Sequence, residues 1–169
     1  MACLTILEYP DERLRTVAKP VREFDAALGR FCDDLLETMY TAQGIGLAAT
    51  QVDVHLRVIA VDVSQEANQP LLLINPEIES SDKIGRVEEG CLSLPGVYAD
   101  VERATQIRVR ALDRAGNPCE YELDAMAAVC VQHEMDHLQG KLFVDHLSFF
   151  GRRRAIKKLA SLRRERLVS

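Results

Sequence analysis

The chain has 169 residues, 47% hydrophobic and 28% charged, enough for one domain with a substantial buried core. No apolar run nears the roughly 20 residues that a membrane-spanning helix needs, and five cysteines at irregular spacings exclude a disulfide framework. The net charge of −5 is uneven: residues 150–169 hold eight Lys or Arg against one acid, a charge of +7, which leaves −12 on the other 149 residues.

The N-terminal MACLTILEYPDERLR lacks a basic segment before an apolar core, so it does not read as a signal peptide and a cytoplasmic protein is expected. After the Tyr9-Pro10-Asp11 turn signal, Leu28, Phe31, Cys32, Leu35, Leu36, Met39 and Tyr40 recur at helical spacing. They predict an amphipathic helix over 25–40 with Asp25 as its N-cap. Gly44–Gln51, taken alone, reads as a helix end and tight turn. Strands are predicted at 57–63 and 71–75, rich in branched aliphatics, and at 105–112, where polar and apolar residues alternate. A turn at 113–117 leads into a strand at 118–123, and a second helix over 125–139 stops at Gly140. The tail is helical from about Leu147, with Phe150, Ile156, Leu159, Ala160 and Leu162 as a loose apolar stripe. Without βαβ alternation, repeats or a linker, the expectation is a single α+β domain over 1–169. It combines a mostly antiparallel or mixed sheet, a central helix and the C-terminal helix; 1–149 is the acidic body, and 150–169 is not a separate domain.

His133-Glu134-Met135-Asp136-His137 is the sharpest chemical signal. Residues four apart share a helix face, so both imidazoles can reach one metal ion while Glu134 acts on water beside it. Met126, Val129 and Cys130 precede His133 at helical spacing, so the histidines continue an apolar face, where polar groups without partners are costly.

A hydrolytic site needs a third protein ligand. Phe143 occupies the position that a third histidine takes in the extended zinc-protease motif, and Glu165 is the only downstream glutamate; His146 and Asp145 match no pattern. Cys130 lies about 10.5 Å along the helix axis from His137, which disfavours one tetrahedral ion on both. Spacing leaves Cys3, Cys32, Cys91 and Cys119 open.

Three segments together carry a resemblance. Gly44-Ile45-Gly46-Leu47-Ala48-Ala49-Thr50-Gln51, Glu89-Gly90-Cys91-Leu92-Ser93 and Gln132–Leu138 resemble the three motifs of the peptide deformylases, in order, and Ile6–Asp11 with Leu14-Arg15 is also similar to that family. The resemblance implies Cys91, His133 and His137 as metal ligands and Glu134 as general base. It implies oxyanion donors in the Gln51 amide and the Leu92 N–H, and a methionine pocket lined by Ile45, Val87, Met126, Val129, Cys130 and His133. By the same resemblance Gly44, Gly46, Glu89 and Gly90 would border the substrate, with Gly90 permitting close backbone approach beside Cys91. The implied metal is Fe2+, with Zn2+, Ni2+ or Co2+ able to use the same ligands.

The implied reaction is hydrolysis of the N-formyl group on formyl-methionyl N-termini of nascent polypeptides, with release of formate. By the same resemblance the basic C-terminal helix contacts the ribosome; no membrane and no DNA partner is expected. Two rival readings are a zincin-type metallopeptidase, which needs a downstream ligand, and a structural zinc module with a nucleic-acid-binding tail, which needs four closed ligands.

Overall fold

The computed structural model describes residues 2–168. Its sheet has five strands in the order β1 (Gly46–Ala48), β2 (Val58–Val61), β3 (Leu71–Cys91), β4 (Leu94–Leu112) and β5 (Pro118–Asp124). Every neighbouring pair is antiparallel, so the sheet is a meander. Three α-helices accompany it: α1 (Ala26–Thr41), α2 (Ala125–Leu138) and α3 (Phe149–Val168). The expected α+β architecture is what is found.

The apolar run in β2 has a simple cause. Val58 and Ala60 face α1, and Ile59 and Val61 face α2, so all four residues are buried. Side chains alternate across a strand, and a strand covered on both faces is apolar throughout. On one face α1 contributes Leu28, Cys32, Leu35 and Met39; on the other α2 contributes Ala128, Cys130, Val131 and Leu138. β5 covers one face only: Cys119, Tyr121 and Leu123 pack inward between exposed residues.

Asp25 caps α1 as expected, accepting a hydrogen bond from the Leu28 N–H at 2.9 Å. Gly140 follows the C-cap of α2 at φ +74°, and a Cβ there would stand 2.5 Å from the Arg15 carbonyl oxygen. Glycine is thus required twice over, for the left-handed turn and for the passing N-terminal segment.

Three expectations are corrected. Gly44–Gln51 is more than a helix end: Gly46–Ala48 is an edge strand and Ala49–Val52 a 3-10 turn. The strands expected at 71–75 and 105–112 are parts of a long hairpin, β3–β4, whose register shifts between Ile74 and Glu77, Ile78 and Ser80, and Gly90 and Cys91. Asn75 and Lys83 have positive φ, and Pro76 offers no N–H, so the local pattern breaks while pairing resumes beyond.

In the tail, the buried face is Ala155 and Leu159; Phe150 is 69% exposed and Ala160 is also outside. Ala155 and Leu159 enter a third apolar cluster with Leu94, Val97 and Val101 of β4 and with Leu142, Phe143 and Val144. This cluster fixes the hairpin end that carries Cys91.

Candidate metal centre

Cys91 ends β3, and Leu92 and Ser93 form the turn into β4. The register shift after Gly90 sets Cys91 apart from the regular ladder. Its Sγ meets the α2 face that carries His133 and His137, and the ligand atoms of all three lie within 4.8 Å of one another. Cys91 Sγ is 3.4 Å from His137 Nε2. A thiolate and two imidazoles at this separation suit a first-row divalent cation, so the residues fit the metal that the sequence implies. Among the described residues this group has three members, fewer than the four ligands of a closed structural site.

His146, the possible downstream ligand, is elsewhere: its Nε2 lies 2.8 Å from Asp136 Oδ2. Cys130 is outside the group too, its Sγ donating to the Ile45 carbonyl at 3.5 Å.

Glu134 is buried beside the group, with Oε1 3.6 Å from His133 Nε2 and Oε2 lacking any hydrogen-bond partner among the described residues. Burial pushes its pKa up to about 7, partly opposed by His133 and reinforced by the Glu89 charge. A carboxyl poised there can both take and return a proton near neutrality. Burial holds His137 well below the ordinary imidazole value, favouring the neutral form that binds metals.

Around this group runs a set of ionic hydrogen bonds that sequence reading missed. His133 Nδ1 lies 2.8 Å from Glu89 Oε1. Arg103 of β4 donates to both oxygens of Glu89, at 2.7 and 3.0 Å, and its Nη1 donates to Asp136 at 2.7 Å. Burial alone would raise the Glu89 pKa, but the bonds from His133 and Arg103 hold it at about 2. Arg103 is 6% exposed, and a buried arginine in a strand is the one signal that could have found it, once burial was known. Glu89, expected to border the substrate, is therefore engaged with His133 and Arg103.

Gln51 is buried, its Oε1 accepting from the Ala48 N–H at 2.9 Å. Its Nε2 donates to Ser93 Oγ at 3.0 Å and to Cys91 Sγ at 3.6 Å, so one amide proton points toward the metal group. Gly44 sits against the Leu92 side chain. Gly46 lies against Cys130 and Glu134, and the crowding at Gly90 comes from the Tyr98 ring rather than from the metal group. Helix α2 places Met126, Val129 and Cys130 in the turns before His133; Met126 is 43% exposed while Val129 and Cys130 are buried. Ile45 is also exposed, and Val87 is half-buried two residues before Glu89.

The family model described as polypeptide deformylase matches residues 3–153. A peptide deformylase of Cellvibrio japonicus is 59% identical over 160 residues, covering 94% of this chain and 95% of that one. One from Alkalilimnicola ehrlichii is 58% identical, covering 100% and 96%. Among solved structures, a peptide deformylase from Legionella pneumophila superposes with a TM-score of 0.95 at 46% identity, over 99% of each chain. The Ehrlichia chaffeensis enzyme in complex with actinonin gives 0.90 at 38% identity, over 95% and 98%. Agreement of this extent, in sequence and in fold together, makes the chain a member of the polypeptide deformylase family.

Proposed function

We propose that Cys91, His133 and His137 hold the divalent cation of a peptide deformylase, and that Glu134, Gln51 and Leu92 act on the formyl group. The reaction is the family's metal-dependent removal of the N-formyl group from the formylmethionyl N-termini of nascent proteins. The observation that carries the residue assignment is the meeting of a hairpin-end cysteine with two helix histidines, beside a buried carboxylate oxygen with no hydrogen-bond partner among the described residues.

When bound, the cation supplies Lewis acidity, which acidifies water and polarises a carbonyl. Glu134 accepts the proton of the attacking water and later delivers it to the departing amine nitrogen, so that formate and a free N-terminus are released. The Gln51 Nε2–H and the Leu92 N–H stabilise the negative charge that develops on the formyl oxygen. Ile45, Val87, Met126, Val129 and Cys130 accommodate the methionine side chain, Gly46 keeps the approach beside Glu134 open, and Gly44 and Gly90 flank it. Fe2+ is the metal we assign; Zn2+, Ni2+ and Co2+ fit the same mixed nitrogen and sulfur donors.

We further assign the protein to the cytoplasm and α3 to a ribosome contact. No helix among the described residues is long and apolar enough to cross a membrane. Several cations of α3 hold it to the body: Arg152 pairs with Asp145 at 3.7 Å, and Arg163 and Arg166 with Glu8 at 3.7 and 3.3 Å. Arg153, Arg154, Lys157 and Lys158 are exposed instead. Arg154 and Lys158 line a groove of about 450 Å³ with Arg86 of β3, three cations against one acid, Asp100, on an otherwise acidic body. That charge suits a phosphate-rich partner.

The test is formate release from formyl-Met-Ala-Ser by anaerobically prepared, Fe2+-loaded protein beside Cys91→Ala. Release by the wild type and none by the variant supports the assignment. Equal rates, with equal bound metal, would remove Cys91 from the site.

A further inference from the structure

We infer that His146 is a positioning residue for the metal site, orienting His133 through Asp136, Arg103 and Glu89; this rests on the reading of His133 as a ligand. The two histidines of the site are held differently. His137 Nδ1 is buried with no hydrogen-bond partner among the described residues, whereas His133 Nδ1 is fixed by Glu89. A carboxylate on Nδ1 sets the tautomer that leaves Nε2 free to ligate, and it fixes the ring plane. Orientation of the site therefore depends chiefly on what holds Glu89.

Among the described residues Glu89 is held by Arg103 and His133, and Arg103 is held in turn by Asp136. Glu89 and Arg103 side chains are each 5% exposed, but that of Asp136 is 22% exposed. The chain of contacts thus reaches water at Asp136, which is where it can fail. There the same oxygen, Oδ2, accepts from Arg103 Nη1 at 2.7 Å and meets His146 Nε2 at 2.8 Å. Without His146, the Arg103 contact is what restrains the Asp136 carboxylate among the described residues, and a turn of that carboxylate toward solvent would leave the buried Arg103 Nη1 without its partner. An unpaired buried guanidinium is costly, so Arg103 shifts to recover a contact and Glu89 follows.

His146 is well placed to prevent this. It closes a 3-10 turn, Phe143–His146, whose Phe143 and Val144 are buried in the third apolar cluster. The Phe143 ring also stacks on His133, with centroids 6.0 Å apart. One turn therefore bears on His133 from two directions, by direct ring contact and through the ionic chain.

The experiment uses the full chain loaded with Co2+ alone. His146→Phe keeps an aromatic ring but removes Nε2, and His146→Gln restores a donor of similar reach. For His146→Phe we expect the Co2+ dissociation constant to rise about three- to tenfold, less than the 10–100-fold typical of a direct partner such as Glu89. The visible Co2+ absorption bands should shift, and kcat should fall with KM little changed. His146→Gln should recover most of each effect. The loss should also vanish in an Asp136→Asn background, because the path is already broken there. Wild-type affinity and spectrum in His146→Phe would overturn the inference, as would effects that add to those of Asp136→Asn. Failure of the ligand reading is seen separately: His133→Ala would then bind Co2+ with an unchanged spectrum.

Discussion

Gly46 and Glu134 are in contact across the edge of the sheet: a Cβ built on Gly46 would stand 3.0 Å from Glu134 Cγ and 2.7 Å from Cys130 Sγ. Gly46→Ala therefore pushes on the carboxyl assigned as general base, in a place where both neighbours are buried. We expect kcat for a short formyl-peptide to fall at least about tenfold, because small misplacements of a catalytic group are expensive. Overpacking of this kind costs about 1–3 kcal/mol of stability. Steady-state kinetics beside thermal unfolding checks both; an unaltered kcat would mean that Glu134 is not confined as described.

Replacing Glu134 itself separates chemistry from metal binding. Glu134→Gln keeps the shape and removes the base, so kcat should drop about 10²–10⁴-fold while metal content stays at the wild-type level. Metal analysis on the same sample decides the matter. Loss of metal in parallel with activity would make Glu134 a ligand instead.

Tyr40 and Asp62 give a dependence on pH away from the metal. Tyr40 Oη donates to Asp62 Oδ2 at 2.6 Å, and Ser64 and the Gln69 N–H also donate to this carboxylate. Burial alone would raise the Asp62 pKa, but these bonds bring it below the ordinary value of 3.8. A folded-state value below the unfolded one contributes stability above about pH 4, lost as pH falls through the folded value. Asp62→Asn should then destabilise by about 2 kcal/mol at pH 7, the scale of a hydrogen bond to a charged group. The difference from wild type should shrink steadily in acid. A difference that stays constant down to pH 2, measured by urea unfolding, would contradict the account.

The ribosome contact is better tested by charge than by truncation. Deleting residues 150–169 removes Leu159, fully buried against Leu94 and Phe143, and loss of such a residue costs about 2–5 kcal/mol even as a change to Ala. Glutamate at Arg153, Arg154, Lys157 and Lys158 leaves that packing intact. We expect weaker binding to purified ribosomes, a shallower salt dependence and unchanged release of formate from a short peptide. Identical affinity in the substituted protein would end the proposal.

The sequence announces the two histidines because four residues on a helix is a local distance, set by backbone geometry alone. Cys91 was reachable only through its resemblance, since its approach to His137 depends on how a hairpin end packs on a helix. Arg103 is less legible still. Its partner Glu89 is 14 residues away, and the two meet only in the register that β3 and β4 adopt beyond the shift at Gly90 and Cys91. Strand β1 escaped notice for another reason: three residues, one of them glycine, are too few for any period to show. In the tail, the stripe of apolar residues was visible but its inward side was not, because Phe150 and Leu159 are equally apolar and only packing distinguishes them.

The attachment of α3 has a consequence for how the protein comes into being. Arg163 donates to the Tyr9 carbonyl, and Arg163 and Arg166 both pair with Glu8, so the first segment of the chain is gripped by the last. During synthesis the strap can bond to Thr38, Gln51 and Ser93 as soon as these are made, but its ties at Glu8 and the Tyr9 carbonyl wait for α3. A product truncated ahead of α3 would lack those last ties and would leave Leu94, Val97 and Phe143 without the cover of Ala155 and Leu159, the kind of exposed apolar surface on which cellular proteases act.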